Sequence, residues 1–300
     1  MMNEDLFVQS LTKLFKTDDP SVLDGIGDDT AVLDFGLPGG WLFLAAADQV
    51  VEKVHFTPET SPYDAGVKLV NRNISDIAAM GGIPVYALLT VAVKPFDEQK
   101  MLEFHQGVAD TAAKYHVSVI GGDMAGLPEN GFAGSLTILG KVEKEKLCLR
   151  ANAKDGDLLY ATGCYGNSFL SGHHLHFVPR VEQGRFIAGT YSNAAMDVTD
   201  SLYLTAQRMA EASGLAVVLE TENIPLREGA DLASALTEGE DYELLFAVRQ
   251  ENALLLEQNW PFPDVKLSRI GRFQNGAPGT VTGVDAGIIK TGYDHFHESH

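Results

Sequence analysis

Apolar positions fall into helical and strand periods along most of the chain. Leu6, Phe7, Leu11, Leu14 and Phe15 are spaced as one face of an opening amphipathic helix, which stops near the turn-forming cluster Thr17-Asp18-Asp19-Pro20. Trp41–Ala47 reads as a strand running into Asp48. Ala65, Leu69, Val70, Asn73, Ile77 and Met80 mark a helix over Tyr63–Met80, with Gly81-Gly82 as its stop. A strand over Tyr86–Val93 leads to a helix opened by Asp97 and reaching about Tyr115. Val117–Ile120 reads as a short buried strand ending at Gly121-Gly122-Asp123, and Gly134–Val142 as a further strand. Glu143–Asp157 is polar and charged, which predicts a junction near residue 150. Beyond it come a strand (Leu158–Thr162), a Gly163–Gly166 turn into a helix, a helix over Asp200–Ser213, and strands at Leu215–Leu219 and Glu243–Val248. This mixed order predicts two α/β or α+β domains, with no short-period repeat and no low-complexity segment.

Charge changes the picture more than size does. The 300 residues suffice for two cores, and 45% hydrophobic residues exclude wholesale disorder. With 22 Lys+Arg against 41 Asp+Glu, the net charge is −19, which repels a phosphate backbone; no basic stripe interleaves with aromatics, so nucleic acid is excluded as a partner. The two cysteines, Cys148 and Cys164, form no CxxC pair, which argues against a disulfide scaffold or zinc site. The acidic start, Met1-Met2-Asn3-Glu4-Asp5, resembles neither a signal nor a transit peptide. No apolar run approaches the roughly 18 residues of a membrane span, so the expected location is cytoplasmic, with no membrane partner.

Five segments share one form, an apolar element followed by a sharp turn and an Asp. They are Gly27-Asp28-Asp29, Ala47-Asp48, Asn73-Ile74-Ser75-Asp76, Gly121-Gly122-Asp123 and Met196-Asp197-Val198-Thr199-Asp200. A single Asp after Gly is usually a turn former or cap, and Asp200 could cap the helix that follows it. Five in one chain point instead to a shared ligand site at the ends of strands. Two carboxylates ~4 Å apart repel by ~4 kcal/mol at an effective dielectric near 20, so a convergent set requires cations. Hard oxygen donors without His or Cys select Mg²⁺ or Ca²⁺, and the flanking glycines let backbone N–H groups approach a polyphosphate.

Competing motifs are missing. The sequence holds no GxxxxGK[ST] loop, and Gly25-Ile26-Gly27-Asp28-Asp29-Thr30 lacks the third glycine of a dinucleotide fingerprint. GxSxG, HExxH and the protein-kinase set are also lacking. The groups His173, His174, His176 and His295, His297, His300 lack acidic partners at ligand spacing, so neither reads as a metal site.

Six motifs in order resemble those of the thiamine-monophosphate kinase family: Gly25–Val32, Asp48–Phe56, Asn73–Gly81, Gly121–Asp123, Asp197–Asp200 and Gly239–Leu244. Gly292–Phe296 extends the resemblance to nearly the whole chain. That family belongs to the superfamily of aminoimidazole ribonucleotide synthetase, selenophosphate synthetase and an ATP-binding hydrogenase maturation protein. The resemblance implies an N-terminal ATP/Mg-binding α/β domain (1–148) whose sheet pairs across a homodimer, and a C-terminal α+β domain (149–300). It implies ATP- and Mg²⁺-dependent phosphorylation of thiamine monophosphate to thiamine diphosphate. By motif, Asp29, Asp48, Asp76, Asp123, Asp197 and Asp200 would hold several Mg²⁺ ions. Gly122, Asp123, Arg150 and Thr199 would contact ATP. His55, Glu240 and Tyr293 would meet thiamine monophosphate, Tyr293 by stacking.

Five positions in three motifs depart from the family pattern. Ala46-Ala47 stands where a hydroxyl pair is usual, leaving only backbone carbonyls as metal ligands there; Met124-Ala125 replaces two threonines, and Ser201 a glycine. A related synthetase with another acceptor, or a non-catalytic nucleotide-binding homologue, would carry the same acidic turns. For a kinase, both reactants are anionic and the acceptor phosphate is already largely ionised near neutral pH, so direct in-line transfer without a general base is expected.

Overall fold

The structure is a computed structural model and describes residues 11, 14, 15, 17–285 and 287–289. The expected opening helix lies mostly outside the described residues, and Tyr293, His295, His297 and His300 lie wholly outside them.

Among the described residues, two six-stranded sheets organise the chain. The first uses β1 (Val22–Asp24), β2 (Ala31–Leu33), β3 (Trp41–Val51), β4 (Ile83–Lys94), β5 (Ser118–Gly126) and β6 (Gly131–Glu143), ordered β1-β2-β3-β6-β4-β5. Helices α1 (Pro62–Ala79) and α2 (Glu98–Lys114) supply its apolar cover. On β3 the even positions Leu42, Leu44 and Val50 join Leu69, Val70, Ile74 and Ile77 of α1 in one buried core. The alternation of strand side chains therefore places Asp48 on the α1 side, and the odd positions on the opposite, open face. Ser61 caps α1 by accepting from the Asp64 amide, and Asp97 caps α2 by accepting from Lys100. The two helices touch at glycine: a Cβ on Gly66 would lie 2.3 Å from the Phe104 carbonyl, so any side chain there would force them apart.

The second sheet contains β7 (Leu158–Thr162), β8 (Ala194–Asp197), β9 (Ala216–Leu219), β10 (Leu244–Val248), β11 (Leu267–Gln274) and β12 (Val281–Thr282), in the order β12-β9-β11-β7-β10-β8. Helices α3 (His173–His176), α4 (Val181–Ile187), α5 (Leu202–Ala212), α6 (Leu232–Thr237) and α7 (Gln250–Asn259) connect its strands. A separate apolar cluster including Val198, Leu202, Val217, Leu245 and Phe273 underlies it. No described helix is long and apolar enough to cross a membrane.

Several expected elements change shape. The strand at Trp41 continues through Asp48 to Val51, and β5 continues through Asp123 to Gly126, so neither Asp terminates a strand. Ladder pairing carries both on: Asp48 lies opposite Leu136 and Asp123 opposite Thr90. The turn after Gly163 does not enter a helix at once; α3 starts only at His173. Asp200 is not the cap of α5. Ser201 takes that place, accepting from the Leu204 amide.

Candidate functional site

Helix α1 positions the site. Its apolar face is fixed in the first core, and its other face carries Lys68 and Ser75, which reach Glu240 and Asp197, and Arg72, which reaches back to Asp48 and Gln49 on β3, with Asp76 one turn further on. At four-residue steps Lys68, Arg72 and Asp76 form a row along the helix. Asn73 ties the row to β3: its side-chain oxygen accepts from the Asp48 amide at 3.0 Å, and its amide nitrogen donates to the Leu69 carbonyl at 2.8 Å.

Carboxylates gather around this row. Arg150 donates to both acids of the Gly27-Asp28-Asp29 turn, Nε to Asp28 at 3.2 Å and Nη2 to Asp29 at 2.5 Å, while its amide also donates to Asp28. The second oxygen of Asp29 is buried without a hydrogen-bond partner. Asp197, at the end of β8, accepts from the Ser75 hydroxyl at 2.5 Å. Asp48 accepts from Arg72 Nε at 2.7 Å, and Asp200 from Arg208 Nη1 at 2.5 Å. Asp76 differs: its carboxylate makes no hydrogen bond or ion pair among the described residues.

Their electrostatics mark this as a place of unbalanced negative charge. Burial raises Asp76 well above the usual carboxylate range, and the nearby charges of Asp48, Asp197 and Asp29 raise it further. Burial likewise raises Asp29 far, with Arg150 opposing, and lifts Asp197 to about 6 against its Ser75 hydrogen bond. Such shifts mean that the ionised forms lack sufficient positive charge nearby.

The donor set fits Mg²⁺, being all oxygen, with one orphaned buried oxygen on Asp29 and one unpaired acid in Asp76. Among the described residues no three His, Cys, Asp or Glu side chains form a ready-made metal cage. Arginines and Ser75 hold most of the carboxylates, so an ion here would rely on water and ligand oxygens for much of its coordination. Ala46 packs its methyl against the first core, so its side chain contributes nothing. Ala47 is exposed on the opposite face.

Asp123 stands apart from the others. It pairs with Thr90, which pairs with Ser135, which pairs with Gln49. Residues opposed in a ladder share a face, so Asp123 lies on the open face with Gln49, whereas Asp48 lies on the α1 face. Three strand spacings, ~14 Å, separate their positions across the sheet. Asp123 instead lines a shallow cavity of about 240 Å³ with Thr90, Ala125 and Ser135. Gly122 beside it has φ +156°, and a Cβ there would lie 1.7 Å from the Leu89 carbonyl, so the close β4–β5 approach requires glycine.

The proposed acceptor residues meet at the N-terminal half of α1. Lys68, 0% exposed, pairs with Glu240 at 2.5 Å and donates to the His55 carbonyl at 2.6 Å. Burial lowers the Lys68 pKa while Glu240 opposes it. His55 is buried, and its Nδ1 accepts from the Val51 amide at 3.0 Å, leaving the proton on Nε2. The amide of Glu240 donates to the Thr199 carbonyl at 2.5 Å, tying this corner to the Asp197–Asp200 turn. The next acids in the motif are structural: Asp241 receives Arg227 at 2.9 Å, and Glu243 receives the Arg180 fork. Arg72, Lys68 and Ser75 carried no signal in the sequence, since basic and hydroxyl residues on an amphipathic helix usually face solvent.

Residues 27–142 match the family described as AIR synthase related protein, N-terminal domain. Thiamine-monophosphate kinase of Rhodopirellula baltica is 36% identical over 84% of each chain. That of Haemophilus influenzae is 30% identical over 94% of each. The solved structure of AaThiL complexed with AMPPCP and TMP superposes with a TM-score of 0.84 at 26% identity, covering 98% of this chain and 97% of that one. The chain therefore belongs to the thiamine-monophosphate kinase family.

Proposed function

We propose that the enzyme transfers the γ-phosphoryl group of ATP directly to the phosphate of thiamine monophosphate, forming thiamine diphosphate in the cytoplasm. The observation that carries this reading is Asp76, an acid that makes no hydrogen bond or ion pair among the described residues and lies beside three other carboxylates. Such a group suits a cation delivered with a nucleotide. Asp29, Asp48, Asp76, Asp197 and Asp200 would hold Mg²⁺, which when bound supplies charge neutralisation for two anionic reactants. Residues 1–148 would serve mainly nucleotide and metal, and residues 149–300 would close the site.

The chain itself binds and orients. Arg150 would leave Asp28 and Asp29 for an ATP phosphate, with Gly122 and Thr199 as further nucleotide contacts. Glu240, fixed by Lys68, and His55 bound the acceptor pocket; Tyr293 is assigned there on motif alone. Rigid placement of both phosphates removes the entropy cost of their encounter. The acceptor oxygen needs no deprotonation, because the second pKa of a phosphate monoester is ~6. No phosphoenzyme is required. Asp123, on the open sheet face, would join the metal set across a homodimer, from the neighbouring copy.

A thiamine diphosphate formation assay tests the reading. Product should appear with ATP and Mg²⁺ and vanish with a chelator. Nucleotide binding without product would point to a non-catalytic homologue, and turnover with a different acceptor to a related synthetase.

A further inference from the structure

We propose that Arg72 anchors the phosphate of the acceptor, an assignment that rests on the reaction proposed above. One side of its guanidinium is already fixed, Nε on the Asp48 carboxylate at 2.7 Å and Nη1 on the Gln49 carbonyl at 2.6 Å. Of five N–H bonds, two are used; Nη2 has no hydrogen bond among the described residues and is not sealed from solvent. The side chain is therefore pre-ordered yet still able to donate.

Its place on α1 fits that use. Lys68 is one turn before it, beside Glu240 and His55, and Asp76 is one turn after it, among the carboxylates. Four residues of helix rise ~6 Å, so Arg72 lies between the acceptor pocket and the metal-binding acids. The phosphate of thiamine monophosphate must occupy that interval to meet an ATP γ-phosphate. The other nearby cations have other roles: Lys68 is fully buried on Glu240, and Arg150, beside Asp28 and Asp29, is assigned above to the nucleotide. Burial opposes the Arg72 charge, and the carboxylates of Asp48 and Glu240 beside it favour it. An arginine so held can take a phosphate through two parallel N–H bonds, which a lysine cannot reproduce.

The test compares binding of thiamine monophosphate and of thiamine, which lacks the phosphate, to the full-length enzyme and to Arg72→Gln and Arg72→Lys, by calorimetry. A lost charge-assisted contact should weaken thiamine monophosphate binding by about 10- to 100-fold in Arg72→Gln. Thiamine binding should change less than about twofold, and Arg72→Lys should recover part of the difference. Equal weakening of both ligands would overturn the inference, because a merely structural Arg72 acts on both alike. So would unchanged binding of both with an altered Mg²⁺ requirement, which would make Arg72 only a counter-ion to Asp48. A wild-type enzyme that binds both ligands equally and forms no thiamine diphosphate would instead overturn the underlying reaction.

Discussion

Asp76 is costly to the fold and useful to the site for the same reason. Burial and the charges of Asp48, Asp197 and Asp29 all disfavour its ionised form. Asp76→Asn keeps the shape, removes that repulsion, and deletes one point of attachment for a cation. Without metal the variant should melt at the wild-type temperature or a few degrees above it, while turnover with Mg²⁺ falls on the order of a hundredfold. Calorimetry in chelator beside steady-state kinetics decides the matter; a folded and fully active variant would remove Asp76 from the metal set. The acids at Asp29 and Asp197 were legible in the sequence because a turn glycine and a strand end set them off from solvated Glu residues; Asp76 lies inside α1, with no turn before it, and stood out only through its motif. Arg72 and Arg150 as partners of those acids were not legible, since their contacts span 24 and more than 120 residues of chain. The face occupied by Asp123 was equally hidden, because it follows from ladder register and not from local spacing.

At the level of elements, the strongly periodic pieces read true: α1, the Asp97 cap of α2, and β7 with its two ends unchanged. Weak periods failed. β11 mixes Ser268, Arg269 and Arg272 with apolar residues and shifts register between Arg269 and Gly271, which hides its alternation. β8 is four residues long, too short to show a period of its own ahead of the Asp197–Asp200 turn. Two element-scale predictions follow from contacts. Gly122→Ala drives a methyl into the Leu89 carbonyl at a φ that disfavours side chains, so β4 and β5 must separate locally. A loss of roughly 2–4 kcal/mol of stability is expected, seen as a lower denaturant midpoint; loss of activity alone, at unchanged stability, would make Gly122 a nucleotide contact first. Glu143, at the end of β6, takes both Arg185 amino groups, at 2.6 and 2.8 Å, while Arg185 also donates to the Gly81 carbonyl. Its side-chain hydrogen bonds to Arg185 hold Glu143 down to about 2, below its ordinary 4.5. A depressed acid stabilises the fold above its unfolded pKa, and that stability is lost as pH falls from about 4.5 to 2. The pair is partly solvated, so Glu143→Gln should cost only about 1 kcal/mol at neutral pH, and nothing near pH 2.

On the scale of the whole molecule, the first sheet has one covered face and one open face. Core helices lie on the first, whereas Tyr86 (44% exposed) and Leu88 (39%) lie on the second, and all nine residues of β5 are exposed. An edge strand with free backbone groups beside an apolar surface invites pairing with another strand. A second copy of the same sheet would cover that face with matching chemistry, as two-fold symmetry requires. It would also bring Asp123 of the partner subunit towards the acids it does not reach within its own chain. Light scattering at micromolar concentration should therefore give twice 32.4 kDa. With each chain at −19, association must overcome long-range repulsion, so raising salt should tighten the dimer until the charges are screened. Leu88→Glu places a charge in the covered face and should yield a folded monomer with much reduced turnover. Mixing Asp123→Asn with Asp29→Asn chains then asks whether sites are shared. If they are, one site in each mixed dimer escapes both changes, and activity should exceed that of either variant alone. A mixture no better than its parts would keep Asp123 within its own subunit's site or outside the site altogether.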